Sequence, residues 1–127
     1  MAIKLSPDEH LRMEPIHSEH CSLLDFCYGA IGCSCIEIVH PRRLPDPYVM
    51  IVDESGMLKG LPVNALGSVL YETDRHGWPI LGTALLMKQT MTIDGPDIVS
   101  LDENDVEVLR TIMNRAIQKW NVGEVSL

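Results

Sequence analysis

The last third of the chain carries its clearest periodicity. Val106, Leu109, Met113, Ala116 and Trp120 recur at three- and four-residue steps, forming one apolar face of a helix. Ser100 followed by Glu103 predicts a capping box at its start, Asp102 adds charge at the positive end of the dipole, and Gly123 lies just past the end. A second helical stripe, His20, Leu24, Cys27 and Ile31, runs through "EHCSLLDFCYGAIG", with Gly32 placed to stop it. A third, shorter helix is predicted over "LPVNALGSVLYE", with Asn64 or the Leu-Pro pair near its start.

Between these helices the pattern turns to β. "LRMEPIHS" reads as a short strand whose Pro15 marks an edge or a bend. "SCIEIVHP" and "YVMIVD" are strands on either side of "PRRLPDP", a loop in which three prolines in seven residues forbid regular pairing. "ESG" then turns the chain, with Gly56 free to take a positive φ and "MLKG" returning as a hairpin arm. "ILGTALLMKQ" is an apolar run of strand length, buried on both faces if it sits mid-sheet, while "DRHGWP" and "TIDGPD" are turns. The order β-α-β-β-α-β-α gives one α+β domain over residues 1–127. Its sheet is small and mainly antiparallel, with two or three packed helices including the C-terminal amphipathic one. A sheet with exposed "YVMIVD" or "ILGTALLM" edges needs covering, so a homodimer or higher oligomer is expected.

Composition narrows the function classes. With 46% hydrophobic residues in 127 the chain can bury a core unaided, and one Phe, three Tyr and two Trp leave that core to Ile, Leu, Val and Met. Ten basic against eighteen acidic residues, a formal charge of -8, argue against a phosphate-backbone binder, so no direct nucleic-acid contact is expected. The same charge permits a soluble carrier, or an acidic surface that docks onto a basic partner. "MAIKLSPDEHLRMEP" lacks the apolar run of a signal peptide, and no stretch reaches the ~18 apolar residues of a membrane span. A reducing cytoplasm is therefore expected, with the four cysteines as thiols or ligands.

All four cysteines fall within "HSEHCSLLDFCYGAIGCSC". His17, His20, Cys33 and Cys35 make a possible Cys2His2 zinc set, since two cysteines one residue apart on a strand share a side. A C-x-C pair is nevertheless uncommon in structural fingers, and Cys27 sits on the apolar stripe, where a thiol acts as a small hydrophobe. Cys21 beside His20 is the one cysteine placed for a lowered pKa, but no base-orienter pair or oxyanion signature accompanies it. Sulfur as packing is the favoured reading, with no metal, cofactor or catalytic residue assigned and a small zinc-binding domain as an alternative.

The stretch from 48 to 84 is different in kind. Lys59, Gly60 and a helix starting near Asn64 bring a cation and free backbone amides together, the ingredients of an anion site, although no P-loop spacing is present. Gly82 and Thr83 in an apolar strand suggest close approach of another backbone or a ligand. Arg42 and Arg43 on the proline-rich loop are candidate clamps for a carboxylate or phosphate, and Tyr71 and Trp78 for stacking on a planar ligand.

"IEIV", "YVMIVDESGMLKGLPVNALGSVLY", "ILGTALLM" and the acidic "LDENDVEVL" together resemble a small domain-of-unknown-function family. That family is common in phages, conjugative elements and their bacterial hosts, especially Firmicutes. The resemblance covers roughly residues 30 to 115, brings no catalytic residues with it, and does not include Cys33 and Cys35 as a hallmark. It implies a setting of counter-defence, with two mechanisms in competition. One is an oligomeric sponge that withholds a nucleotide-type immune messenger, using Lys59, Gly60, Asn64, Arg42 and Tyr71. The other is an inhibitor that binds a host defence nuclease through an acidic helix start, Asp102, Glu103, Asp105 and Glu107.

Overall fold

A computed structural model describes residues 1–7, 13–17, 22–71 and 79–125, the side chains of Met13 and of residues 119–125 excepted. Six strands among them pair antiparallel into one sheet: β1 (Ala2–Leu5), β2 (Met13–Ile16), β3 (Ile36–Val39), β4 (Tyr48–Asp53), β5 (Ala84–Thr92) and β6 (Gly95–Val99). The helices are α1 (Leu23–Ile31), α2 (Gly56–Lys59), α3 (Ala65–Tyr71) and α4 (Glu103–Val125). The α+β class with a C-terminal helix is as the sequence predicts. No helix of the described residues is long and apolar enough to cross a membrane.

β5 is the axis of the sheet, whose order is β2-β1-β5-β4-β3 with β6 also on β5. Its first half lies between β1, with Ile3 opposite Leu86, and β4, with Ile51 opposite Leu85; its second half pairs with β6. β1 and β6 therefore run end to end along one side of β5, and the Leu101 N–H donates to the Met1 carbonyl at 2.7 Å to join them. "YVMIVD" and "ILGTALLM" are thus interior strands rather than edges, which removes the exposed-edge reason for expecting an oligomer. Every residue of β4 is buried, as is each from Ala84 to Met87, because both faces of these strands are covered.

Alternation sorts the side chains into two cores. Ile3, Leu5, Met50, Val52, Ala84 and Leu86 face Leu66 and Leu70 of α3 and the Val106, Leu109, Met113 and Ala116 stripe of α4. Ala2, Ile51, Leu85 and Met87 point the other way, against Cys27 and Ile31 of α1. The sheet is thus a middle layer between helices, and sulfur packs as expected: the Cys27 thiol meets the Met87 thioether at 3.7 Å. Burial and then the nearby Cys33 push that thiol up to about 11, so it stays neutral.

Local signals set the helix ends. Ser22 Oγ accepts the Asp25 N–H at 3.1 Å to start α1, and Gly32, at φ 77°, stops it. At α4 the capping box sits two residues beyond the predicted pair Ser100 and Glu103. Asp102 Oδ1 accepts the Asp105 N–H at 2.8 Å, and Asp105 Oδ2 accepts the Asp102 N–H at 2.9 Å. "MLKG" also departs from expectation: α2 winds one helical turn from Gly56 instead of returning as a hairpin arm, and Gly60 closes it at φ 65°. Cys33 and Cys35 lie before β3, which begins at Ile36, so they are not on a common strand face. The strands β1 and β6 and the helix α2 are additions to the predicted order.

Candidate functional site

β3 is the last strand of the sheet order, and its residues are less buried than those of β4. Glu37 stays exposed and Val39 half-buried, across from Val52 and Met50 of β4. A cleft of about 280 Å³ results, bounded by Glu37, Val39, Val52, Asp53, Glu54, the start of α2, Tyr71 at the end of α3, and Pro79 to Leu81. Its floor is apolar and, among the described residues, its ionisable groups apart from the Tyr71 phenol are all carboxylates. Among the described residues neither the Glu37 nor the Glu54 side chain makes an ion pair, whereas Asp53 is committed. A second hollow, about 210 Å³ beside the β5–β6 hairpin, presents Asp46, Pro47, Gln89, Thr90, Met91 and Pro96 and has no aromatic group.

One rim of the larger cleft is held by Asp53. Its side chain is 1% exposed, one oxygen 2.7 Å from the Lys59 ammonium and the other accepting the Ser55 N–H at 2.8 Å. Burial works against its charge, but Lys59 and the Ser55 N–H outweigh burial and hold the carboxyl below its ordinary range. The same hydrogen bond raises the Lys59 pKa. Asp53 thereby folds the chain back on itself: it fixes the turn after β4 and ties down the last residue of α2.

The other rim rests on Asn64, which is completely buried. Its Nδ2 donates to the carbonyls of Leu5 and Gly82, each at 2.8 Å, and its Oδ1 accepts the Gly67 N–H at 2.9 Å as the cap of α3. One amide therefore joins β1, the approach to β5 and α3, and satisfies backbone groups that would otherwise be buried without partners. Gly82, at φ 75°, is glycine because Leu61 packs onto it: a Cβ there would lie 2.7 Å from the Leu61 side chain. The close approach expected at Gly82 and Thr83 is thus made by Leu61, and Thr83 is half-buried immediately before β5.

The remaining candidates are dispersed. Arg42 is exposed on the proline-rich loop. Arg43 is anchored, its N–H on the Leu70 carbonyl at 3.3 Å and its Nη1 reaching the Ala116 carbonyl at 3.5 Å. That contact places its backbone beside Tyr71, the one predicted ligand residue among the described ones that lines the cleft. Lys59, Gly60 and Asn64 hold the rims together, with the Lys59 ammonium and the Asn64 amide occupied inside the fold. Trp78, His20 and Cys21 lie outside the described residues. Among the described residues no three His, Cys, Asp or Glu side chains gather as metal ligands, so His17, Cys33 and Cys35 do not form such a group.

At the acidic start of α4, Asp105 is buried rather than presented. It accepts from the Tyr48 hydroxyl at 2.9 Å, pairs with Lys88 at 2.7 Å, and serves the capping box. Burial opposes its charge, yet the Asp102 N–H, Lys88 and Tyr48 bring its carboxyl down to about 2. Tyr48 moves the opposite way, to about 12, through burial and then its bond to Asp105.

Glu37 and Glu54 are the cleft residues that the sequence reading passed over. The signal was present: Glu37 interrupts the apolar run "IEIV", placing an exposed charge on the face of that strand that borders the cleft. Chemically, the cleft offers carboxylates that accept hydrogen bonds and attract cations, an aromatic group, and apolar walls.

Neither the curated proteins nor the solved structures hold a match to this chain. A family model described as a domain of unknown function, DUF3846, matches residues 1–115, and the chain belongs to that family.

Proposed function

We propose that this chain is a non-enzymatic binding protein that acts by docking a protein partner onto the face formed by β3, the end of β4 and α2. The observation that carries this reading is the cleft: an apolar floor, the carboxylates of Glu37 and Glu54, which pair with no cation among the described residues, and beside it the exposed side chains of Met57 and Leu58. Exposed apolar groups next to unneutralised charge of one sign suit a partner of opposite charge, and the chain as a whole carries -8. The setting implied by the family resemblance is counter-defence on a mobile element in the host cytoplasm, where a defence nuclease or its complex is the class of partner. The acidic helix start contributes less to such a surface than its sequence suggests, because Asp105 is turned inward.

A photo-crosslinking amino acid at Leu58, with a control at Val108 on α4, tests this in host cells. A discrete protein adduct from Leu58 and none from Val108 is the expected outcome; adducts from neither, or equally from both, overturn it.

Tyr71 favours a second reading, sequestration of a nucleotide-type signal. Its ring offers a stacking surface for a base, carboxylates accept from ribose hydroxyls and base amines, and the Arg43 backbone bonds the Leu70 carbonyl at that end of α3, with Arg42 next to it on the loop. Calorimetry against cyclic dinucleotides and ADP-ribose derivatives decides it: micromolar binding weakened by Tyr71→Ala and Arg42→Ala supports sequestration. Silence across that panel leaves protein docking.

A further inference from the structure

We infer that the occupant of the cleft is an arginine side chain carried on a partner's exposed segment and flanked there by an apolar residue. This rests on the protein-docking reading and names the chemistry that the docking face selects.

The cleft is deep enough for a side chain and too small for a folded element, at about 280 Å³. Val39, Val52, Met57, Ile80 and Leu81 line it with hydrocarbon, which suits a methylene stem. Glu37 and Glu54 approach from one side. Glu37 stands opposite Val52 in the β3–β4 register, and Glu54 follows that strand by two residues. Lys59 does not neutralise them, because its ammonium is held 2.7 Å from Asp53. A planar guanidinium presents donors in a fork, which two separate carboxylates can share, and its face stacks on an aromatic ring such as that of Tyr71. A phosphate entering the same cleft meets like charge. Beside the cleft, Met57, Leu58 and Val63 are 59%, 92% and 55% exposed, a ledge of apolar surface next to its wall. Val63 is bridged to Leu81 of the cleft wall, and Met57 belongs to both the wall and the ledge. A partner residue next to the arginine buries this ledge as the arginine fills the cleft.

The test is a nuclear magnetic resonance titration of the whole chain with acetyl-leucyl-arginyl-leucine amide, run beside its citrulline analogue, which keeps the shape and loses the charge. The arginine peptide is expected to shift the resonances of Met57, Tyr71 and Leu81, with affinity about tenfold above the citrulline peptide and a matching loss in Glu37→Gln/Glu54→Gln. Both glutamates are exposed, and unchanged dispersion of the other resonances confirms that the double variant folds. Equal shifts from the two peptides overturn recognition of the cation while leaving the docking face in place. Shifts from neither peptide overturn the arginine occupant altogether, and the Leu58 crosslink then decides separately whether the face docks a protein. Shifts confined to residues outside the cleft overturn it as well.

Discussion

Asp105 and Asp53 are both buried carboxylates, each held by a lysine at 2.7 Å and each accepting a backbone N–H. They secure different things. Asp105 binds across the fold: its partners Tyr48 and Lys88 sit side by side on β4 and β5, so the start of α4 is fastened to the centre of the sheet. Asp53 binds locally, to the turn that follows it and to a lysine six residues on, and stabilises only the single turn of α2. A long-range polar clamp couples elements that must all be in place at once, whereas a local clamp shapes one surface and leaves the rest of the fold indifferent. The first belongs to stability and the second to the site.

The sharpest way to break this contrast is Asp105→Ala. It removes the capping reciprocal and leaves Lys88 and the buried Tyr48 hydroxyl without their acceptor, so a loss of about 3 kcal/mol is expected in urea unfolding. A loss no greater than that of Asp53→Ala would erase the distinction. Acid gives a second, graded test. The folded-state carboxyl of Asp105 is at about 2, below the ~3.9 of an unfolded aspartate. Its contribution is therefore fully present above pH ~4 and is lost as the pH falls towards 2. The Asp105→Asn variant should flatten the fall of stability across that window.

A smaller effect is expected at the cleft. Asp53→Asn weakens the bond to Lys59 and the hold on the Ser55 N–H, costing about 1 kcal/mol. The resulting resonance changes should stay confined to residues 53 to 60 and the cleft wall. Changes reaching α4 would show that the two clamps are coupled. The mildest probe is Lys59→Met. Removing the ammonium takes away a cause of the depressed Asp53 carboxyl, so that carboxyl should titrate higher by carbon-detected resonance, with the Tyr48 hydroxyl unmoved.

The same contrast explains what could be read along the chain. α1, β4, the apolar half of β5 and the α4 stripe are legible because each carries its own period and end signals, such as Ser22, Gly32 and the step from Val106 to Ala116. β6 opens on Gly95, Pro96 and Asp97, which read as a turn, and both β1 and β6 exist because β5 offers them an edge. The cap of α4 was ambiguous in sequence because Ser100 with Glu103 and Asp102 with Asp105 share one spacing; Lys88 and Tyr48, distant in sequence, select the second pair. At the site, "MLKGLPVN" shows a cation close to a helix start and its backbone amides. What no local pattern reveals is that Asp53 takes the lysine, or that Leu5 and Gly82 take the amide. Those partners arrive from other strands.

The pairing of Ile3 with Leu86 has a consequence for how the chain is made. β1 leaves the ribosome before the other elements of this fold, yet the strand it lies against follows only after β2, α1, β3, β4, α2 and α3, and the Asn64 amide that bonds its final carbonyl appears midway between them. Its apolar residues Ala2, Ile3 and Leu5 must therefore wait while most of the domain is synthesised. Closure of β1 onto β5 is thus a late step of assembly, and until then the strand has only β2, the next element along the chain, to pair with.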